Sequence, residues 1–387
     1  MFDFQKSPFI VIWEVTRACA LSCVHCRAEA IPRRHPQELT QEEGIALLDE
    51  VLAFGDPLPL LVFTGGDPLR RPDIYDLVRH GVRRGFRVSL TPSGTAAVKK
   101  HNVQALKETG LARLAVSLDG STPKVHDAFR RVKGSFGWTL RICEYARECH
   151  LPIQINSTIT RHNLGELEPL AKLVEKLGVA LWSIFFLVPV GRGKVEDEVT
   201  PLEYERVLNS LYELSMRVPF GIKTTEAPHF RRVAIERSQG IRRDGRPAGP
   251  IPVGRAGEAR QVPFPWTGGG SMEVALDGIG RAPRGVNDGN GFVFIDHLGE
   301  VYPSGFLPLS AGNVKRASLV RLYRDHSIFR ELRDPEMLKG KCGRCEYKAL
   351  CGGSRARAYA ITGDYLESDP YCVYVPGESR QLSLRVS

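Results

Sequence analysis

Residues 19–26 read Cys19–Ala20–Leu21–Ser22–Cys23–Val24–His25–Cys26, so three cysteines lie within one short stretch. The preceding run from Phe9 to Val15 is apolar and rich in β-branched side chains, which predicts a buried strand. The three cysteines, called the cysteine triad below, therefore lie on the loop that leaves this strand. Thiolates are soft ligands that suit iron–sulfur clusters or zinc. Three ligands leave one iron of a [4Fe–4S] cluster open to a small molecule, which is typical of a catalytic metal site.

A zinc knuckle or a redox dithiol is the alternative interpretation of this loop. A zinc site needs a fourth ligand, and His25 is available, although it lies between two of the cysteines. The chain has nine cysteines in all. Cys143 and Cys149 fall in a predicted helix on different faces, and we interpret both as buried or incidental thiols.

Predicted strands and helices alternate along the first part of the chain. After the first strand, strands are predicted at 59–64, 87–91, 112–118, 153–159 and 181–188, and a helix follows each strand. This alternation indicates a parallel sheet with right-handed crossovers. Thr40 and Glu43 form a capping-box pattern at the start of the first helix. Asn163 is a candidate cap for a helix that ends near residue 177.

A second group of cysteines lies near the end of the chain. Two residues separate its first and second members, five separate the second and third, and twenty separate the third and fourth. Four thiolates complete the coordination of one [4Fe–4S] cluster without an open iron, and a zinc ribbon is the alternative. This second cysteine group consists of Cys342, Cys345, Cys351 and Cys372.

These motifs resemble the radical SAM enzymes, and within them the SPASM group. In that family three cysteines hold a [4Fe–4S] cluster and S-adenosylmethionine (SAM) chelates its fourth iron. The resemblance implies an α/β fold: a partial (β/α)₆ TIM-like barrel followed by a small C-terminal SPASM/twitch-like iron–sulfur domain. It also implies reductive cleavage of SAM to a 5′-deoxyadenosyl radical, which abstracts hydrogen from a substrate.

The resemblance also assigns SAM contacts at the carboxyl ends of the strands. Gly65–Gly66–Asp67–Pro68 matches a G-G-E-P loop with aspartate for glutamate, and this loop would bind the SAM amino group. Glycine lets a ligand approach the backbone closely. Four further candidates follow the later strands: Ser117 for polar groups of SAM, Arg130 for its carboxylate, and Asn156 and Arg192 for SAM or substrate.

The chain departs from a full SPASM domain at two positions. That domain has seven cysteines and two auxiliary clusters. Here Ser304 takes the place of a cysteine in the stretch GEVYPS, and Arg355 takes the place of another, four residues after Cys351. Both changes remove ligands of the first auxiliary cluster, because a hydroxyl and a guanidinium are poor replacements for a thiolate. We therefore expect a single auxiliary [4Fe–4S] cluster.

The stretch GGSRARAYAITGDYLESDPYC most resembles radical SAM proteins that act on modified haems. In that branch the substrates are sirohaem-derived or iron-coproporphyrin tetrapyrroles, and the reactions include radical loss of propionate carboxylates. The alternative branch modifies ribosomally made peptides. A third, non-enzymatic interpretation is an iron–sulfur electron-transfer protein, although such a carrier would not need a SAM-binding loop. A ferredoxin or flavodoxin is the expected electron donor.

Composition limits the remaining possibilities. The net charge is +9, but the arginines are dispersed and no base-reading motif is present, so we expect no nucleic-acid partner. No apolar run is long enough to span a bilayer and no signal-peptide pattern precedes residue 8, so we expect a cytoplasmic protein. The expected domains are a barrel core at 8–220, a Gly-, Pro- and Arg-rich bridge or lid at 221–290, a SPASM/twitch-like domain at 291–376 and a tail at 377–387.

Overall fold

The structure, a computed structural model, describes residues 3–243 and 285–377. In these residues one sheet contains the strands β1 (Ile10–Glu14), β2 (Leu60–Thr64), β3 (Val88–Leu90), β4 (Arg113–Ser117), β5 (Ile153–Ile159), β6 (Leu181–Phe186), β7 (Gly221–Thr225), β8 (Phe292–Ile295), β9 (Glu300–Tyr302) and β10 (Gly312–Asn313). Strands β1 to β7 pair in chain order, all in parallel. Strand β8 pairs in parallel with the other edge of β1, and antiparallel β9 and β10 follow outward. The predicted α/β class with a parallel sheet is confirmed.

Helices connect the parallel strands. The described helices are α1 (Gln41–Val51), α2 (Ile74–Arg83), α3 (Lys100–Glu108), α4 (Pro123–Arg130), α5 (Ser135–Glu148), α6 (Leu167–Leu177), α7 (Pro201–Ser215), α8 (His229–Ser238), α9 (Leu319–Asp325), α10 (Ser327–Arg333), α11 (Gly340–Gly343) and α12 (Arg355–Thr362). The predicted capping box is confirmed, because the Glu43 N–H donates to Thr40 Oγ1 at 3.2 Å and the Thr40 N–H donates to Glu43 Oε2 at 2.8 Å. None of these helices has the length and apolarity that crossing a bilayer requires.

The core lies between the sheet and the helices. Trp13 of β1 is fully buried and meets Phe63 of β2 edge to face, with 5.7 Å between the ring centroids. Gly44 of α1 packs on this indole, since a Cβ there would lie 2.6 Å from Trp13 Cη2. Burial alternates along β5, where Ile153 and Ile155 face the helices. The intervening polar residues, among them Asn156, therefore face the other side of the sheet, where the cleft described below lies.

The predicted end of the barrel core at residue 220 is too early. Strand β7 pairs in parallel with β6, and α8 then packs on α7. The sequence GIKTT of β7 has no apolar run, so the hydrophobic pattern did not mark it as a strand. Arg232 of α8 is joined to α7 by a buried ion pair with Glu205, and it also pairs with Glu236 of its own helix. The first part of the predicted bridge is thus regular structure, and most of its remainder, 244–284, lies outside the described residues.

Two local predictions near the ends of helices were also wrong. The sequence predicts one helix at about 318–332, but the structure interrupts it at His326, whose backbone is extended between α9 and α10. Asn163 does not cap a helix. Instead its side-chain amide donates to the carbonyls of Asp119 and Thr158, at 2.9 and 2.8 Å, and so ties the end of β4 to that of β5.

Candidate active site and second cysteine pocket

A cleft open to solvent, with an empty volume of about 1100 Å³, lies at the carboxyl ends of strands β1 to β6. This is the edge at which parallel barrels keep their chemistry. The structure places every predicted barrel site residue except Asp67 on its wall. The lining includes Cys19, Cys23, Cys26, Gly65, Gly66, Ser117, Arg130, Asn156 and Arg192.

Two sulfurs of the cysteine triad have a polar side chain as neighbour inside the cleft. Cys19 Sγ lies 3.1 Å from Ser93 Oγ, and Arg130 Nη1 donates to Cys23 Sγ at 3.5 Å. Burial raises the pKa of the Cys19 thiol. All cysteines of the described residues are free thiols, so Cys26 too is available as a ligand. Three unpaired cysteines beside hydrogen-bond donors fit the ligand set of a thiolate-bound cluster.

The two glycines after β2 pack on the backbone of the triad loop. The N–H of Gly66 donates to Thr16 O at 2.8 Å. A Cβ at Gly66 would lie 2.5 Å from the carbonyl oxygens of both Arg17 and Ala18, and one at Gly65 would lie 2.3 Å from Thr16 O. Glycine is therefore required here because two backbones meet, in addition to leaving room for a ligand.

Asp67 lies behind this loop rather than in the cleft. Its side chain is 2% exposed, and its Oδ1 accepts hydrogen bonds from the N–H groups of Leu69 at 3.2 Å and Ser93 at 3.3 Å. Burial raises the pKa of Asp67 to about 6. The structure thus gives the carboxyl a role in joining the loops after β2 and β3, which the sequence motif alone did not indicate.

Replacement of Gly66 by alanine is expected to weaken SAM binding about tenfold or more, equivalent to ~1.4 kcal/mol. The new methyl group would force the glycine loop away from the triad loop, because both atoms it meets belong to the backbone. Anaerobic equilibrium dialysis with SAM measures the effect. Gly137→Ala is the matched control, since a Cβ there meets nothing within 4 Å. An unchanged dissociation constant in Gly66→Ala would contradict the packing described above.

Arg130 is paired within the protein. Its Nη2 donates to the buried Asp119 carboxylate, whose Oδ1 accepts from the Thr158 N–H at 2.7 Å. His126 supports the same loop, because its Nδ1 accepts from the Asp119 N–H at 3.1 Å and its Nε2 lies 3.0 Å from Ser135 Oγ. Burial lowers the pKa of His126 to about 3, so the ring is neutral. The guanidinium is thereby held against Cys23, and Asp119 is a site residue that sequence reasoning missed.

The remaining predicted contact residues differ in whether their side chains already have hydrogen-bond partners within the protein. Ser117 closes β4 at the cleft, and Asn156 Oδ1 accepts from Gln154 Nε2 at 2.7 Å. The N–H of Arg192 donates to Cys26 O at 3.1 Å, which fixes its loop beside the triad. Its Nε and Nη2 are buried and find no hydrogen-bond partner among residues 3–243 and 285–377. Arg192 therefore offers a charged group to an anion in the cleft.

Aromatic side chains form part of the cleft wall. Phe185 of β6 and Phe306, which follows β9, are both half-buried, with 6.3 Å between their ring centroids. The Arg27 guanidinium lies over the Phe294 ring at 4.5 Å and is held by the Glu14 carboxylate at 2.7 Å. The sequence did not single out these residues, since nothing local brings β6, β8 and the triad loop together.

The second cysteine group lines one pocket of about 370 Å³ near the carboxyl end of the chain. His229 also lines it, with Nε2 at 3.2 Å from Asp369 Oδ2. Burial alone would lower the pKa of His229, but the Asp369 carboxylate raises it to about 9. Four free thiols around one cavity fit the donor set of a single iron–sulfur cluster.

Neither cysteine set is arranged for a single metal ion. In the described part of the chain, no three His, Cys, Asp or Glu side chains converge at the spacing of such an ion. A cubane distributes its ligands over several irons, so its cysteines need not meet at one point. Away from both pockets, Cys143 is buried in α5, where burial raises its pKa to about 12, as expected for an inert thiol.

Polar side chains fill the space beside the two positions at which the SPASM pattern has cysteines. Ser304 Oγ donates to Glu226 Oε1 at 3.3 Å, and Ser354 Oγ donates to Glu226 Oε2 at 2.6 Å. Burial, together with the neighbouring Asp288 carboxylate, raises the pKa of Glu226 well above its usual range. Arg355 is 2% exposed and turns its guanidinium toward Cys342.

Fold and cleft together are those of an α/β protein with three free cysteines in a cleft at the carboxyl edge of its parallel strands. The sequence profile of the Radical SAM superfamily matches residues 13–174. An "AdoMet-dependent heme synthase" of Methanosarcina barkeri is 38% identical, over 98% of this chain and all of that protein. The "Mycofactocin maturase MftC" of Mycobacterium ulcerans is 28% identical, over 95% of this chain and 88% of that protein.

Among solved structures, Streptococcus suis SuiB bound to S-adenosylmethionine has a similar fold, with a TM-score of 0.67 and 14% identity. The match covers 95% of this chain and 78% of that one. The chain belongs to the radical SAM superfamily and is a radical SAM enzyme. Its cofactors accordingly include a [4Fe–4S] cluster and SAM.

Proposed function

We propose that this enzyme removes propionate carboxylates from an iron-containing tetrapyrrole, as a step of haem formation. The observation that carries the proposal is the full-length identity of 38% to a haem synthase. The likeness to a peptide maturase is weaker, at 28%. Modification of a ribosomally made peptide is therefore the second candidate.

The cleft supports a planar apolar substrate with carboxylate groups. Phe185 and Phe306, which line the cleft, offer aromatic side chains to a macrocycle. Arg192 offers buried, unpartnered donors to a carboxylate near the triad. Guanidinium–carboxylate pairs are strong and directional, so Arg192 would orient one propionate toward the radical.

Within this proposal the cysteine triad ligates the catalytic cluster, which when bound supplies the electron that cleaves SAM. Gly65, Gly66, Ser117 and Asn156 line the space in which SAM would lie. Arg130 is assigned a positioning role in place of the predicted contact with the SAM carboxylate, because its Nη1 donates to Cys23 and its Nη2 to Asp119. Asp67 likewise orders the loop from behind.

The second cysteine group is proposed to hold one auxiliary [4Fe–4S] cluster. Removal of one hydrogen atom and one carbon dioxide from a propionate leaves a vinyl group and one electron. That electron needs an acceptor, which is the chemistry that such a cluster supplies when bound. A ferredoxin or flavodoxin is proposed as the donor of the electron for SAM cleavage.

Binding of iron-coproporphyrin III tests the assignment of the cleft. Optical titration of the reconstituted protein is expected to show saturable binding, and Arg192→Gln should weaken it about ten- to a hundredfold, since a charge-assisted hydrogen bond contributes about 1.5–3 kcal/mol. Arg161→Gln is the control, because Arg161 is exposed and lies outside the cleft lining. The tetramethyl ester of the same porphyrin should bind both proteins equally. Equal affinity of Arg192→Gln and the unchanged enzyme for the free acid would remove Arg192 from the substrate site.

A further inference from the structure

Arg355 is the residue that stands where the SPASM pattern has a cysteine, and it makes contact with a cysteine of the second group. Its Nη2 donates to Cys342 Sγ at 3.7 Å. The backbone N–H of Asp369 donates to the same sulfur at 3.5 Å. Cys342 is buried, with 8% of its surface exposed, so water does not screen either donor. The sulfur thus lies beside a full positive charge in a medium of low dielectric constant.

Neighbouring backbone carbonyls hold the guanidinium in this position. Nη1 donates to Tyr365 O at 3.0 Å and to Glu367 O at 2.7 Å, and Nε donates to Gly353 O at 3.3 Å. Every partner among the described residues is a carbonyl or the Cys342 sulfur, and none is a carboxylate. The guanidinium is planar and rigid, so it cannot rotate away from the Cys342 sulfur without breaking the bonds made by Nη1 and Nε.

Other buried arginines of this region are neutralised differently. Arg232 pairs with Glu205 and Glu236, and Arg357 lies 3.5 Å from Glu198 and 3.6 Å from Asp369. A buried charge is costly unless an opposite charge or several hydrogen bonds compensate it. The Asp288 and Asp364 carboxylates act on the Arg355 charge without forming an ion pair with it, and its guanidinium donates directly to the Cys342 sulfur.

We propose that Arg355 raises the reduction potential of the auxiliary cluster by donating a charged hydrogen bond to its Cys342 ligand. This inference rests on the proposed auxiliary cluster. Reduction adds one electron and hence one negative charge to the cluster, so a fixed cation and a hydrogen bond at a ligand sulfur stabilise the reduced state more than the oxidised state. Arg355, which replaces a cysteine ligand of the SPASM pattern, would thus favour acceptance of an electron by the auxiliary cluster.

A redox titration in a protein that contains only the auxiliary cluster tests this role. Alanine replaces the cysteine triad, dithionite supplies one electron per cluster in the presence of mediators, and electron paramagnetic resonance follows the reduced form. Arg355→Gln is expected to shift the equilibrium at least tenfold toward the oxidised cluster, which is about 59 mV for one electron. Arg355→Lys keeps the positive charge but lacks the planar set of guanidinium donors, so a smaller shift of the potential in the same direction is expected. If the glutamine variant does not fold, the lysine variant alone gives the result.

Arg333→Gln is the matched control. Arg333 is also buried and donates to the carbonyls of Tyr323 and Arg324, at 2.6 and 2.8 Å, away from the second cysteine group. The potential should stay unchanged in this variant. An unchanged potential in the folded Arg355 variants, or an equal shift in Arg333→Gln, would overturn the inference while leaving the auxiliary cluster in place. Absence of iron from the triad-free protein would overturn the auxiliary cluster itself, and the inference with it.

Discussion

Joint replacement of the cysteine triad by alanine is expected to abolish SAM cleavage and to leave about four irons per chain. The three sulfurs line the cleft beside the glycine loop. Without the triad cluster, no iron lies at the cleft to pass an electron to SAM. Chromatographic measurement of 5′-deoxyadenosine after anaerobic reduction, with iron analysis of the same sample, gives both quantities.

A variant with alanine at Cys143 and Cys149 is the control for this experiment. It also removes thiols, but neither residue lines the cleft or the second cysteine pocket. SAM cleavage and iron content should match those of the unchanged enzyme. Undiminished 5′-deoxyadenosine formation by the triad variant would contradict the assignment of the catalytic cluster.

Replacement of the four residues of the second cysteine group by alanine is expected to reduce the iron content from about eight to about four per chain. SAM cleavage should continue, because the triad and its hydrogen-bond partners are untouched. Formation of the decarboxylated tetrapyrrole should fall below detection, because the electron released with carbon dioxide has no acceptor. Iron and sulfide analysis with Mössbauer spectra separates cluster iron from adventitious iron.

The iron content of the unchanged enzyme also tests the departure from the full SPASM pattern. Ser304 is bonded to Glu226, and Arg355 donates to Cys342, so the places of the missing cysteines are occupied. About twelve irons would mean that other residues hold a third cluster. About four would mean that the second cysteine group holds none.

The sequence identified the parts of the fold that have a strong local signal. Apolar runs marked β1 to β6, and the Thr40–Glu43 capping box marked the start of α1, because burial and capping leave direct traces in the residue pattern. Strand β7 had no such trace, since its residues GIKTT are polar and it lies at an edge of the sheet. Its recognition required the tertiary pairing with β6.

In the candidate site, too, the sequence identified what has a local signal and missed what depends on tertiary contacts. Spacing alone indicated which cysteines belong together, and the structure places each predicted group around one cavity. Motif matching did not reveal that Arg130 pairs with Asp119 or that Asp67 lies behind the loop. A motif names a residue type at a position, whereas the direction and partner of its side chain depend on neighbouring strands that are distant in sequence.

Deuterium transfer from the substrate to 5′-deoxyadenosine tests the central claim most directly. Iron-coproporphyrin III carrying deuterium at the propionate carbon next to the ring is incubated anaerobically with enzyme, SAM and reductant, and both products are analysed by mass spectrometry. The account predicts deuterated 5′-deoxyadenosine together with a tetrapyrrole in which a propionate has become a vinyl group. Deuterium-free 5′-deoxyadenosine beside an unchanged tetrapyrrole would contradict it.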